Sequence, residues 1–353
     1  MFNPKYTISN NILNRLTQIA EIASIVKRSI LLPEREVFLR RAAIIKMAHS
    51  STSIEGNTLK EYQVAQVVEG SKVTAETSQI KEVKNYLLAL RHIDVLANKN
   101  KQFTIDDVLK THKIVTKDLM EKQKQGVWRK SQVYIVNVLA NGKEEVAYTP
   151  PKAKDVPMLI GNLLEWLENE NILHPIIKAG LFHYQFETIH PFTDGNGRTG
   201  RLLTLLYLYQ SGWDFKKILV LEDFYNQNRK RYYESLQTGV DYKSRGGADL
   251  TNWLEYFTEG FLAEAEIVID QITSLLTITD VKTTRNFLDK EELQIIDFVI
   301  TLGQITSSDV VDILQIPKRT AQDKLKKLEE INIIKKMGAG PSTYYIIPGV
   351  SLS

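Results

Sequence analysis

Cysteine is absent from this 353-residue sequence. That excludes disulfides, a cysteine nucleophile and any zinc site built on thiolates, and it suits a reducing compartment. Long apolar runs are missing too, since no stretch reaches the roughly 18 residues that a membrane span needs. The opening, MFNPKYTISNNILNRL, has no apolar core behind a basic flank, so no secretory leader is read there. The expectation is a soluble, cytoplasmic protein with no membrane partner. A large excess of one charge is also lacking: 45 Lys and Arg face 42 Asp and Glu, a net +3, too slight to imply a nucleic-acid or membrane surface by itself. Internal repeats and low-complexity tracts do not occur. What remains is an ordinary globular composition, with length enough for two or three domains and a sizeable core.

Most of the sequence is patterned for helix, and the expected class is mainly α. NNILNRLTQIAEIASIVKRSILL and, after Pro33, EREVFLRRAAIIKMAHSST repeat apolar residues at helical spacing. Further helical patterns cover about 75–98, 104–121, 155–169, 175–190, 197–211, 225–240 and 248–275. One segment breaks the pattern. SQVYIVNVLANGKEEVAYTPP has two runs rich in Val, Ile and Tyr around Asn141-Gly142, a strong hairpin signal, and Pro150-Pro151 ends the pairing. Beyond about 285, three short helical segments and two short strands around a Gly-Pro turn fit a winged helix-turn-helix, with the turn at Leu314 to Pro317. The three expected parts are therefore an N-terminal helical domain over 1–98, a central domain over 99–275 and a C-terminal module over 285–353, with the boundary at about 276–289.

Chemistry concentrates in ETIHPFTDGNGRTGRLLTLLYLYQ, residues 187–210. Gly195 and Gly197 permit backbone angles and close approaches that other residues refuse. A helix starting there presents free N–H groups and the positive end of its dipole. Arg198 and Arg201 are i,i+3 neighbours, and planar guanidinium forks bind phosphate oxygens in pairs. An ordinary turn before a solvated helix is the bland alternative, and Asn196, the paired arginines and the upstream acid together tell against it. The stretch is no Walker loop, because no Lys-Ser or Lys-Thr follows the glycines. The βαβ context of a dinucleotide fingerprint is missing too. Asp194 beside phosphates calls for a divalent cation such as Mg2+, held by one carboxylate and phosphate oxygens. His190, with an ordinary pKa near 6.5, is placed to take a proton from an attacking hydroxyl. Two other readings stand beside it: a helix-end cap, and a metal pair with His183 two turns earlier, for which no third ligand is evident.

HPFTDGNGRTGR, His190 to Arg201, resembles the signature of Fic-domain proteins, His-x-Phe-x-Asp/Glu-Gly-Asn-Gly-Arg-x-x-Arg, with every specified position filled. GVWRKSQVYIV, the hairpin, YTPP and HPIIKAGLFHYQFETIHPF are similar to Fic-domain text as well. The resemblance implies a Fic-type helical core with a β-hairpin flap and, as activity, transfer of AMP from ATP to a protein hydroxyl on Tyr, Ser or Thr. It implies His190 as general base, Phe192 burying the start of the loop, Asp194 on Mg2+, a phosphate nest at Gly195, Asn196 and Gly197, Arg198 on the β-phosphate side and Arg201 on the γ-phosphate. The flap at 133–148 would align an unknown target by strand addition, and self-modification is in scope.

Beside that signature, SSTSIEGNT becomes legible. Ser51, Glu55 and Gly56 resemble the family's inhibitory motif, Ser/Thr-x-x-x-Glu-Gly/Asn. Ser51 and Glu55 share one helix face and Gly56 suits a C-cap. The resemblance implies that Glu55 pairs with Arg201 where the γ-phosphate would sit, so the enzyme is held back; AMP removal from targets is a related activity that the sequence leaves open. In the tail, residues 317–336 carry seven basic residues (Lys318, Arg319, Lys324, Lys326, Lys327, Lys335, Lys336) against three acidic ones. DNA binding through 305–345 and a solvated, charge-paired helix both fit. Similar three-part Fic proteins imply a homodimer. The rival readings are a DNA-binding regulator that senses nucleotide through its Fic domain, and a Fic transferase using another nucleotide donor. The target and its acceptor residue, the event that releases Glu55 and the identity of the base are not encoded in any motif found.

Overall fold

The computed structural model of the chain describes residues 2–31, 33–99, 101–138, 142, 144–279, 289–302, 304–346 and 348. Among them the fold is mainly α. The helices are α1 (Asn10–Arg28), α2 (Pro33–Ile54), α3 (Glu61–Glu69), α4 (Thr77–Ala97), α5 (Ile105–Val115), α6 (Val156–Asn169), α7 (Pro175–Ile189), α8 (Asn196–Gln210), α9 (Leu221–Gln227), α10 (Arg229–Leu236), α11 (Tyr242–Arg245), α12 (Thr251–Thr279), α13 (Lys290–Leu302), α14 (Ser307–Leu314) and α15 (Lys318–Glu330). Two antiparallel strand pairs complete the list: β1 (Ile135–Val138) with β2 (Glu144–Tyr148), and β3 (Lys335–Met337) with β4 (Tyr344–Ile346). No helix among the described residues is long and apolar enough to cross a membrane.

The chain divides into two compact units. The first comprises residues 1–27 and 43–266, the second 28–42 and 267–353. This partition differs from the three-part expectation: α4, from the expected N-terminal domain, packs on α5 and α8, so residues on both sides of position 98 share one core. Part of the expected boundary segment, 280–288, lies outside the described residues.

At the centre of the first unit stand α7 and α8, packed on each other and wrapped by α4, α5 and α6. Helix α7 is apolar around most of its circumference and is buried from Ile176 to Phe186, as a helix without a polar face must be. It starts with Pro175 in the first turn, where the missing N–H costs nothing. Trp253 of α12 donates its indole N–H to the Gly180 carbonyl at 2.8 Å. Helix α8 follows a loop of only a few residues and buries Leu202, Leu203, Leu205, Leu206 and Leu208. The local sequence misled in two places. Helix α3 was not expected, and the helical pattern over 225–240 is split between α9 and α10 and stops at Leu236, with Asn228 ending one helix and capping the next through its side chain.

The β1–β2 hairpin has the expected runs, with Val136 opposite Val146 and an irregularity at Ile135/Val136. Asn141, half of its expected turn, lies outside the described residues. The base of the hairpin is fixed to the helical core. Tyr148 donates its hydroxyl hydrogen to the Thr188 carbonyl at 2.7 Å, and the Arg245 guanidinium lies over the Tyr148 ring at 3.5 Å, a cation–π contact.

In the second unit, α13, α14 and α15 are followed by β3 and β4, and Ile305 bridges Tyr345 with backbone hydrogen bonds in both directions. Its core includes Ile295, Val299, Val310, Leu325 and Leu328. Gln315, in the expected 314–317 turn, takes a left-handed conformation.

Candidate active site

The site forms where α7 stops. His190 adopts φ 49° and ψ 63° and caps the helix through its backbone N–H to Phe186 O. The loop that follows is held from three directions. Phe192 is fully buried and stacks on His112 of α5 at 3.6 Å with the rings parallel, and on Trp128 at 5.2 Å. Arg129 donates from Nε to the His190 carbonyl at 2.9 Å and from its backbone N–H to the Pro191 carbonyl at 3.0 Å. Asn196 closes the loop on itself, its Oδ1 accepting from the Phe192 N–H at 2.8 Å and its Nδ2 donating to the Phe192 carbonyl at 3.0 Å. The Asn196 amide is thus spent on loop shape, and only its backbone is left for a ligand.

His112 ties the loop to α5 by both ring nitrogens. Nδ1 accepts the Gly126 N–H at 2.9 Å, and Nε2 is 2.9 Å from the Asp194 carbonyl. An acceptor at Nδ1 and a carbonyl at Nε2 require the neutral tautomer protonated at Nε2. Burial, the largest influence, brings its pKa down to about 4, although the Asp194 contacts oppose it. Gly195 begins α8 with φ 77°, and a Cβ there would meet Thr116 Cγ2 at 2.7 Å. Glycine is therefore required both for the left-handed angle and for contact with α5.

Helix α2 delivers the opposing charge. Arg201, whose side chain is 2% exposed, donates from Nε to Ser51 Oγ at 2.9 Å and from Nη2 to the Ser51 carbonyl and Glu55 Oε1, each at 2.8 Å. Glu55 lies so near the start of α8 that a Cβ at position 197 would collide with its Oε1. Gly56 ends the helix at φ 99°. Burial alone would raise the Glu55 carboxyl, but the charges of Arg201 and Arg198 and the bond to Arg201 outweigh it and hold the carboxyl below its usual range. Burial would likewise lower Arg201, and Glu55 overcomes this and raises it.

Arg198 is held differently. It donates from Nη1 to Glu82 Oε1 at 2.5 Å and from Nη2 to Asp194 Oδ1 at 3.3 Å. Glu82 Oε2 in turn accepts from Asn57 Nδ2 at 2.8 Å, one residue past Gly56. Asp194 is 63% exposed at its side chain, and its Oδ1 also accepts the Gly195 N–H at 2.5 Å.

A cavity of about 550 Å³ opens over these residues. Glu55, Gly197, Arg201, His190 and Glu187 line one side; Tyr232, Tyr233 and Leu236 of α10 and Val136 of the hairpin contribute to the rest. Of the expected site residues, His190, Gly197, Arg201 and Glu55 meet there, whereas Arg198 and Asp194 sit beside it. His190 is neutral: burial, the largest influence, brings its pKa to about 4 against a backbone hydrogen bond to Glu187 and the Glu55 charge, with Arg129 and Arg245 acting with burial. His183 is fully buried, with Nδ1 3.0 Å from Thr204 Oγ1 and Nε2 2.8 Å from Tyr232 Oη, so both nitrogens are committed to the core and the His183/His190 metal pair does not form.

Sequence reasoning missed Glu82, His112, Arg129 and Glu187. Arg129 and Glu187 stand inside quoted motif text, GVWRKSQVYIV and ETIHPF. Glu82 and His112 have no such signal, being single polar residues on otherwise unremarkable helices. In the second unit, three lysines of the basic stretch are paired: Lys324 Nζ lies 2.7 Å from Asp289 and 2.9 Å from Glu291, Lys327 Nζ 2.8 Å from Glu292, and Lys326 Nζ 3.7 Å from Glu330.

Residues 102–208 match the sequence profile of the Fic/DOC family; the chain contains a Fic domain. Among its relatives, the protein adenylyltransferase Fic of Aedes aegypti is 31% identical over 208 residues, covering 56% of this chain and 38% of the relative. That of Culex quinquefasciatus is 32% identical over the same shares. The chain thus spans about two-fifths of the length of the curated relatives it matches. A solved Fic family protein from Desulfovibrio desulfuricans G20 superposes over 100% of both chains with a TM-score of 0.63 and 26% identity. Fic-1 of C. elegans (residues 134–508) shares the fold, with a TM-score of 0.61 at 24% identity over 74% of this chain and 73% of its own.

Proposed function

We propose that the chain is a protein adenylyltransferase, moving AMP from ATP to a side-chain hydroxyl of a protein, and that Glu55 restrains it. One observation carries the reading: a neutral His190, the start of α8 at Gly197 and the buried Arg201 converge on a single cavity that Glu55 enters from α2. A neutral imidazole can accept the target hydroxyl's proton at Nε2 while the hydroxyl oxygen attacks the α-phosphorus and pyrophosphate leaves. The α8 N-terminus and Arg201 supply positive charge for the phosphates without reorganisation. Tyr232, Tyr233 and Leu236 offer the apolar wall that a nucleobase requires.

Asp194 fits a role toward Mg2+. It is a single exposed carboxylate beside the helix start, and among the described residues no group of three or more His, Asp or Glu could hold a metal with protein ligands alone. Phosphate oxygens would complete the shell, and the cation would neutralise charge on the leaving pyrophosphate. With Glu55 on Arg201, ATP is left to bind with its α-phosphate out of line. The hairpin would present the target by β-augmentation. Residues 285–353 would form the winged helix, and a homodimer and self-modification are part of the same proposal.

The test uses ATP labelled at the α- or the γ-phosphate with wild type, Glu55→Gly and Glu55→Gly/His190→Ala. Protein-bound α-label that rises in the single variant and vanishes in the double one supports the reading. No transfer of either label from any variant, with a lysate as acceptor and other nucleotides tried as donors, overturns it. Salt-dependent binding to a DNA duplex would then favour the regulator, through Lys318, Arg319, Lys335 and Lys336.

A further inference from the structure

Two buried polar atoms at the edge of the cavity lack a side-chain partner: His190 Nδ1, on a ring that the Glu187 backbone carbonyl also approaches, and Glu187 Oε1. They belong to residues one helical turn apart at the end of α7. The other Glu187 oxygen, Oε2, is 3.9 Å from His190 Nδ1, near enough for charge attraction and too far for a hydrogen bond. Buried polar atoms without partners are uncommon and call for a reason. Glu187 is hemmed in on the side of α8. Its side chain is 12% exposed, and Oε1 lies so close over Gly200 that a Cβ there would approach it to 2.5 Å. No part of the transfer described above uses this carboxyl, yet it lines the cavity beside the base.

Resting on the adenylyl-transfer reading, we propose that Glu187 is a positioning residue for His190: its carboxylate accepts a hydrogen bond from Nδ1–H, keeps the Nε2 lone pair toward the target hydroxyl, and stabilises the imidazolium as it forms. In the step itself, the target O–H proton goes to Nε2, the O–Pα bond forms, and the bond from Pα to the bridging oxygen breaks. The electron pair leaves with pyrophosphate. The Nδ1 proton stays on the ring, hydrogen-bonded to Glu187, and the imidazolium afterwards releases its extra proton to water.

The groups facing the pair explain why it is open in the resting protein. Burial, the largest influence, pushes the Glu187 carboxyl up to about 7; Arg201 and Arg245 oppose this, and Glu55 adds to it. His190, facing Glu55, Arg129 and Arg245, is neutral, and the Glu187 charge is felt by the hydroxyls of Tyr232 and Tyr233 across the cavity wall. A carboxyl poised near neutrality beside an uncharged ring has little to attract it. Departure of Glu55 removes one negative neighbour, and proton transfer to Nε2 then creates the positive charge that draws the carboxylate in. The Glu187 backbone carbonyl, which also reaches the ring, survives side-chain substitution and so does not confound the test.

The experiment compares Glu55→Gly with Glu55→Gly/Glu187→Gln and Glu55→Gly/Glu187→Asp by α-label transfer. In parallel, the His190 ring is titrated by NMR with 15N-labelled histidine. The glutamine variant should lose about tenfold or more in kcat with KM for ATP within about twofold, consistent with an effect on general-base catalysis. In the Glu55→Gly parent the His190 ring signals should shift as the Glu187 carboxyl ionises near pH 7, a step that the glutamine variant lacks and that aspartate restores in part, along with kcat. Unchanged kcat, or a kcat loss with no such step in the parent, overturns the proposal, the latter by marking a packing role. If Glu55→Gly itself transfers no label, the transferase reading fails, and the NMR titration still decides whether Glu187 is coupled to His190.

Discussion

Replacing Glu55 by glycine should have opposite effects on rate and on stability. Arg201 is 2% exposed and makes three hydrogen bonds, two to Ser51 and one to Glu55. Removing one partner of a fully buried pair costs about 3–5 kcal/mol. The Glu55 side chain is 24% exposed, and discounting for solvent leaves about 2–3 kcal/mol. In the ATP-free protein this appears as lost stability, because the arginine keeps its charge and only the Ser51 oxygens remain. The melting midpoint should fall by several degrees. With ATP and Mg2+ present, the same free energy no longer has to be spent displacing Glu55. At about 1.4 kcal/mol per tenfold, transfer should rise about 30- to 150-fold, and nucleotide should restore much of the lost melting temperature. Thermal denaturation with and without Mg-ATP, together with α-label transfer, reads both effects. An unchanged rate together with an unchanged ATP-free midpoint would refute the reasoning; a rate gain without a stability loss would show that the pair carries no net energy.

The other predictions concern residues that hold the site. Glu82→Ala leaves Arg198 buried with only Asp194 at 3.3 Å and should destabilise the protein by about 3 kcal/mol; a urea midpoint within error of wild type would contradict this. His112→Ala removes two hydrogen bonds and the ring stacked on Phe192, and should cost about 2–4 kcal/mol. Because His112 in the fold titrates at about 4 rather than 6.5, its contribution is complete above pH 6.5 and is lost as pH falls through about 4. The gap in unfolding free energy between wild type and variant should therefore narrow in acid, and a pH-independent gap would argue against a neutral His112. Glu264 has the opposite sign. Its carboxyl is buried, which is the main reason its pKa is raised to about 8, with Asp223 adding and Lys46 opposing. Its share of stability is present below about pH 4.5 and is lost as pH rises through 8. Glu264→Gln should accordingly gain on wild type in chemical denaturation between pH 5 and 8, and a constant difference would exclude that account.

How far the sequence reaches depends on whether a property is local. The Fic signature, the Ser51–Glu55–Gly56 motif and the hairpin runs are short strings whose geometry is set by helix periodicity, glycine freedom and strand alternation. Each could be located from the residues alone. The end of α7 at His190 and the start of α8 at Asn196 were legible within a residue or so for the same reason. Helix α3 and the break of 225–240 between α9 and α10 were not, because EYQVAQVVE is short and rich in β-branched valine and a side-chain cap at Asn228 decides the break. Which charges pair across the chain is still less local. Ser51 and Glu55 reach Arg201 across about 150 positions, and only the motif's resemblance to a known pair pointed there. Glu82 reaches Arg198 from α4 and His112 reaches the Asp194 carbonyl from α5 with no motif at all. Burial likewise makes Glu187 an acid poised near neutrality and leaves His190 an uncharged base. Periodicity and spacing carry no record of burial or of the partner's distance, and both arise only when α2, α4 and α5 close around the junction of α7 and α8.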